Sequence, residues 1–209
     1  YFGKYAANMN AFWNPGWGSA FLPNLPVMKG SELEGHGYLG LGVLVLLAAA
    51  GLSLVAPGTP RVDVKPYLPL IAAATALWLV SLSHQIAWGD RVIVELPIRG
   101  KLLDLLATFR ASGRLIWVAM YALTFAAAAI VAARFAPRAA TLLIVAAVAL
   151  QLVDLAPRFV AMRGYFDDRF FAAPSKRSSP LVSPFWKEAA KHYRTIRMAP
   201  AASNTRGWE

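Results

Sequence analysis

The most chemically suggestive stretch is Phe109-Arg110-Ala111-Ser112-Gly113-Arg114. Two arginines four positions apart stand just ahead of a long uncharged run that begins at Leu115. A helix N-terminus presents unsatisfied N–H groups and the positive end of the helix dipole, so it attracts anions. Two guanidinium groups there can grip a phosphate through paired N–H donors. Ser112 is placed to cap the first turn and so orient them. A lipid phosphate or a sugar diphosphate suits this chemistry. The competing account is plainer: arginines flank membrane spans to anchor on headgroups, and spacing alone leans that way.

Three further groups can do chemistry. Glu32, Glu34 and His36 read E-x-E-x-H, which on a strand puts oxygen and imidazole donors on one face. Such a face can bind a metal or move protons. The glycines around it, Gly30, Gly35 and Gly37, argue instead for a solvated loop. Gln151 and Asp154 fall on one side of the last apolar run. A carboxylate within a span is a functional candidate by default. Asp154, however, is a turn from the end and close to Arg158, so an interfacial ion pair is the expectation. His84 ends another apolar run beside Gln85. A proton relay is its functional reading, and polar filling of an interface its plainer one. Asp167 and Asp168 lie in a basic stretch and read as surface. No phosphate loop, dinucleotide fingerprint, HExxH or nucleophile elbow is present. With no cysteine, disulfides and thiolate chemistry are excluded. These residues call for no cofactor and no resident metal.

The elements that must position these groups are mostly apolar helices. Of 209 residues, 57% are hydrophobic and 15% charged, against about 25% charged in an ordinary soluble domain. Residues 38–56 carry no charge over 19 positions, roughly 28 Å of helix. Residues 67–83 and 115–133 are likewise uncharged, and 139–156 is a fourth apolar run with Asp154 near its end. The expected fold is therefore an all-α integral membrane protein with about four transmembrane helices over 38–156. Between the second and third runs, residues 90–114 form an interfacial segment. Arg91 to Ile98 read as a brief strand. Lys101, Asp104 and Thr108 then share one helical face, with Leu102, Leu105, Leu106 and Phe109 opposite, as in a short helix lying at a membrane surface. Residues 1–37 read as an extramembrane aromatic loop with turn signals at Asn14-Pro15-Gly16.

The tail, 157–209, is different. Its ten basic and four acidic residues give a net charge of +6. A Ser/Pro-rich linker leads to Ser183-Pro184, the cap and first residue of a short helix. Thr195 to Pro200 read as a strand, so the tail is expected to open a soluble α/β domain. A chain that starts at Tyr1 and stops just after this element is expected to be a segment of a longer protein. Net charge over the whole chain is +10 and sits mainly at the edges of the apolar runs and in the tail. That suits lipid headgroups better than a nucleic-acid groove. Membrane lipids are the expected partners and nucleic acid is not; oligomeric state is left open. The two hairpin turns hold Arg61, Lys65, Arg134 and Arg138, and the other seventeen basic residues lie on the opposite side. A positive-inside count would put the tail in the cytoplasm, but long segments escape that rule, so charge leaves orientation open.

Four stretches carry a family resemblance. They are the loop FWNPGWGSAFLPNLP, the segment LEGHGYLGLGVLVLL, the segment FRASGRLIWVAMYAL, and an alanine- and leucine-rich span ending in Q-L-x-D at Gln151 to Asp154. Together they resemble DUF6311, a family of bacterial multi-pass membrane proteins that look like type-C glycosyltransferases. The likeness runs through most of residues 8–160. An N-x-x-A-x-x-N-P pattern is kept only in shifted form over Asn10 to Pro15. The resemblance implies transfer of a sugar from a polyprenyl-phosphate donor to an acceptor outside the cytoplasm. It implies a bacterial inner-membrane protein with the loop, residues 84–114 and the tail outside, and the basic turns inside. It also implies that the catalytic carboxylate, and any divalent metal, belong to a loop upstream of Tyr1, so no catalytic residue is carried over. Arg110, Ser112 and Arg114 remain the phosphate-binding candidates, with Glu34, His84 and Asp154 behind them. The alternatives are a non-catalytic scaffold for envelope assembly, or a transporter or flippase, which would need polar groups within the spans.

Overall fold

A computed structural model of the chain describes residues 2–3, 5–28, 34–57, 63–108, 111–169, 183–193 and 195. Arg110, Glu32, Arg61, most of the Ser/Pro-rich linker and the expected strand after Thr195 lie outside the described residues, as do the side chains of Asp167 and Asp168. The chain divides into two units, residues 1–163 and 164–209.

Among the described residues there are seven α-helices and one β-hairpin. They are α1 (Leu41–Val55), α2 (Leu68–Ser81), β1 (Gln85–Trp88), β2 (Arg91–Glu95), α3 (Lys101–Ala107), α4 (Ile116–Arg134), α5 (Pro137–Asp154), α6 (Ala156–Arg169) and α7 (Pro184–His192). Single 3-10 turns, Lys65–Tyr67 and Ser112–Leu115, lead into α2 and α4. The strands pair antiparallel, with Gln85 opposite Glu95 and Trp88 opposite Arg91. This hairpin is the departure from an all-helical fold. It begins at Gln85, where an apolar run was expected simply to exit.

Two helical segments, Ser112–Arg134 and Pro137–Asp154, are long and apolar enough to cross a membrane. Four had been expected. The α1 helix has 15 residues and α2 has 14, roughly 22 and 21 Å at 1.5 Å per residue, short of a hydrocarbon core of about 30 Å. Counting uncharged residues overlooks backbone breaks. Gly40 has a φ of +86° and ends the extended stretch 38–40, so α1 starts three residues late. Ser83, at φ +63°, turns the chain out of α2 into the hairpin. Past α5, the expected linker from residue 157 is helical at its start. The amides of Arg158 and Phe159 both reach the Leu155 carbonyl, at 3.0 and 3.2 Å, and open α6.

Small residues let α1, α4 and α5 approach closely. Leu46, Ala50, Ala127, Val131, Ala140 and Ala147 form the buried core between them. A Cβ on Gly42 would collide with the Ala147 carbonyl, so α1 lies directly on the α5 backbone there. The large apolar side chains point outward instead: Leu52, Leu70, Phe125 and Leu142 are each more than half exposed. Ala7, Ala11, Leu82 and Ile116 make a second cluster where the aromatic loop meets the helix ends. In the second unit, Ser183 caps α7 by accepting the Phe185 amide at 3.3 Å, with Pro184 in the first turn.

Candidate functional site

The N-terminal loop closes one end of the bundle with a hydrogen bond to each element it crosses. The amides of Ala7 and Met9 donate to the carbonyls of Ser81 and Ala87 at 2.8 and 3.0 Å. Gly113 and Leu39 donate to the carbonyls of Tyr5 and Phe12 at 2.9 and 3.0 Å, and Ala20 to that of Asp154 at 2.8 Å. Three asparagines hold the loop in shape. The Asn8 amide donates to the Gly89 carbonyl at 2.7 Å and accepts the Gly89 N–H at 3.1 Å, clasping the hairpin turn. Asn14 spans Leu25 in the same two-way manner, at 2.9 and 3.1 Å. Asn10 donates to the Pro26 carbonyl at 3.0 Å.

The motif segments meet at this end. Arg114 donates through Nε and Nη2 to both Glu34 oxygens, at 2.5 and 2.7 Å. That two-point bond, on a rim open to solvent, holds the Glu34 carboxyl below its usual range, with the Arg114 charge adding to the effect. Sequence reading placed Arg114 beside Arg110 as half of a phosphate clamp; the structure gives it a carboxylate partner. Ser112 does not cap the helix. Ala111 holds the cap position, and no side chain caps that turn. The Ser112 hydroxyl is buried, with no partner among the described residues. Gly113 lies so near the Tyr5 carbonyl that any Cβ would overlap it.

Asp154 is fully buried and does not pair with Arg158. Its carboxylate accepts the Tyr38 hydroxyl at 2.7 Å, the Leu41 amide at 3.0 Å and the Ser19 hydroxyl. Gln151, one turn earlier, donates to the Leu39 carbonyl at 3.0 Å. The helix break at Leu155 turns Arg158 away from its expected partner. Together Gln151 and Asp154 satisfy the start of α1, which has no cap of its own. His84 stacks on Phe2, ring centroids 5.8 Å apart, and its Nδ1 finds no partner among the described residues.

Sequence reading passed over the group that emerges around Arg158. Its Nη1 lies 2.7 Å from His36 Nε2, and its guanidinium lies over the Trp17 ring at 5.2 Å. A guanidinium only donates, so His36 must accept at Nε2 and carry its proton on Nδ1. Burial, with the Arg158 charge adding, pushes the His36 imidazole down to about 4. These three residues help line a cavity of about 230 Å³ that also touches Asn8, Asn14 and Gly35. Among the described residues no group of three or more His, Asp or Glu side chains is arranged to hold a metal ion.

The class these features define is a helical protein with apolar, span-length helices and a loop-capped end carrying two separately held arginines. The chain belongs to the DUF6311 family: residues 1–156 match its model, described as a domain of unknown function. No curated protein and no solved structure matches the chain.

Proposed function

We propose that the chain is the membrane portion of a glycosyltransferase-like protein that moves a sugar from a polyprenyl-phosphate donor to an extracytoplasmic acceptor. Sugar transfer enters through the likeness to type-C glycosyltransferases; the family description is silent on activity. The observation that carries the reading is Arg114 at the loop end of a span-length apolar helix, half-exposed and held in one orientation by Glu34. A lipid-linked phosphate would reach such a rim from the bilayer side. Glu34 is a poor general base because its pKa is depressed, so its role here is to position Arg114. Arg110 and Arg114 would contact the donor phosphate. The protein would sit in a bacterial inner membrane, crossed by α4 and α5 and, as shorter apolar helices, by α1 and α2. The outward-facing apolar side chains on all four helices support that placement. The loop end would be extracytoplasmic and the turns at Lys65, Arg134 and Arg138 cytoplasmic. A transporter has less to rest on, since the Asp154 oxygens are taken up by Ser19, Tyr38 and Leu41.

The test is transfer from a polyprenyl-phosphate sugar in membranes holding the full-length protein. Arg110→Ala and Arg114→Ala should each lower transfer by roughly tenfold or more, the order expected for one lost charge-assisted phosphate contact. The pair Arg114→Ala/Glu34→Ala should stay low, showing that the loss is not merely an unpaired Glu34. Unchanged transfer in both single variants refutes the reading.

A further inference from the structure

We propose that the cavity bounded by Trp17, His36 and Arg158 is a second anion site, built for a phosphate-type group and independent of Arg114 and of sugar transfer. Arg158 carries the only formal charge among the lining residues, since His36 is neutral at ordinary pH. Among the described residues no carboxylate opposes it. The nearby acids are otherwise engaged: Glu34 is bound to Arg114, and Asp154 is bound to Ser19, Tyr38 and Leu41. A half-buried guanidinium with no counter-ion among the described residues sets up a positive potential in a partly enclosed space, which favours an anion.

The guanidinium is also preorganised. Its Nη1 is spent on His36, while Trp17 holds the plane from one face. The remaining N–H groups of the fork are what an oxyanion binds. The other polar walls do not compete. Asn8 is committed to Gly89, and Asn14 to Leu25 and Gly16, so they rigidify the pocket without pairing with Arg158.

Size decides the class of ligand. A cavity of about 230 Å³ falls below the roughly 300–1,000 Å³ of sites that enclose a whole small molecule. A space of this size admits a phosphate group together with ordered water. The ligand class that fits is a phosphate-type oxyanion, met either as a lipid headgroup phosphate or as free phosphate.

The full chain contains no cysteine and seven tryptophans, of which Trp17 touches the site. Fluorescence of the purified chain is titrated with inorganic phosphate against chloride at matched ionic strength. In parallel, the chain is placed in nanodiscs of phosphatidylglycerol or of phosphatidylcholine. The wild type should give a saturable change in at least one arm. Arg158→Gln should weaken it by roughly tenfold or more, and Trp17→Phe should remove the signal. Arg138→Gln deletes a charge at the other end of α5 and should leave it unchanged. Arg158→Lys, which keeps charge but not the fork, should weaken it while retaining helical circular dichroism, so misfolding is not the cause. A response to phosphate identifies a free-phosphate ligand, and one to phosphatidylglycerol alone a headgroup. No response above chloride and phosphatidylcholine overturns the proposal. So does an equal loss in Arg138→Gln and Arg158→Gln, which would make the effect one of net charge. Neither result bears on sugar transfer at Arg114.

Discussion

Replacing Asp154 disturbs more hydrogen bonds than any other single side-chain change considered below. Its two oxygens satisfy three donors, and the side chain is fully buried. Asp154→Ala orphans all three. Each buried donor left unmade costs about 1–3 kcal/mol. The Tyr38 and Ser19 hydroxyls can rotate to other partners, whereas the Leu41 N–H is fixed at the head of α1. The net cost is therefore about 3–5 kcal/mol, less than a simple sum. Asp154→Asn should cost about 1–2 kcal/mol. Its oxygen can face Tyr38 and Leu41, while its amide faces Ser19. The Ser19 oxygen already accepts the amides of Phe21 and Leu22, at 3.0 and 2.9 Å. Tyr38→Phe removes one donor and should cost about 1 kcal/mol. The assay is thermal unfolding of the detergent-solubilised chain by circular dichroism. Asp154→Ala should lower Tm by roughly 10 °C, at about 2–4 °C per kcal/mol for a chain of this size. The control is Leu152→Ala, on the same helix but 58% exposed. A double-mutant cycle of Asp154→Ala with Tyr38→Phe should show strong coupling. If Asp154→Ala melts like Leu152→Ala, or if the cycle is additive, the three-donor account is wrong.

Two glycines give opposite outcomes. Gly40→Ala meets both a φ of +86° and the Gln151 amide, so it should lose several kcal/mol or fail to fold, seen as aggregation on size exclusion. Gly51→Ala, inside α1 with nothing within 4 Å of the new Cβ, should raise Tm slightly, by about 0.5–1 kcal/mol of helix propensity. Acidification acts through His36. Its folded pKa is depressed from 6.5 to about 4, so the folded state takes up its proton later than the unfolded state. Stability from this group is present above pH 6.5 and is lost as pH falls through about 4. The loss is on the order of 2 kcal/mol once the partly exposed ring is discounted for solvent screening. His36→Asn, melted at pH 7 and pH 4, should flatten that dependence; an unchanged slope refutes it.

The helices were legible because their signal is local. Apolar runs located α1, α2, α4 and α5, the short β-branched stretch after Gly89-Asp90 located β2, and Ser183-Pro184 located the start of α7. What could not be read was where each run stops being helical. That depends on what Tyr38 and Leu39 reach for across the bundle, more than a hundred residues away at Asp154 and Gln151. Strand β1 was missed because Gln85 to Trp88 has no β-branched run of its own beyond Ile86; it is defined by its partner and by the Asn8 clasp. The ion pair expected between Asp154 and Arg158 rested on their closeness in sequence at the end of a span, and the three donors that take up Asp154 lie far away in the chain. Arg158 itself was visible in sequence only as that expected partner.

The same contrast bears on what the motif segments of this chain do. Gly35, Gly40, Gly42 and Gly113 each sit where a Cβ would strike another segment, and Tyr38, Gln151 and Asp154 are tied to one another or to the backbone beside α1. Most of the motif therefore describes how the loop docks on the helix ends. A residue bound into that docking has little freedom left for a ligand. Function is then better sought in polar groups the docking holds in place but does not use up. Among the described residues two guanidiniums meet that description: Arg114, whose side chain stays half-exposed although Glu34 grips it, and Arg158, which opens on a cavity. They differ in one physical respect. Arg114 must give up or share a carboxylate to take a phosphate, and Arg158 need not. An anion should accordingly bind first, and more tightly, at Arg158, with occupation of Arg114 seen only for a ligand that brings further contacts of its own.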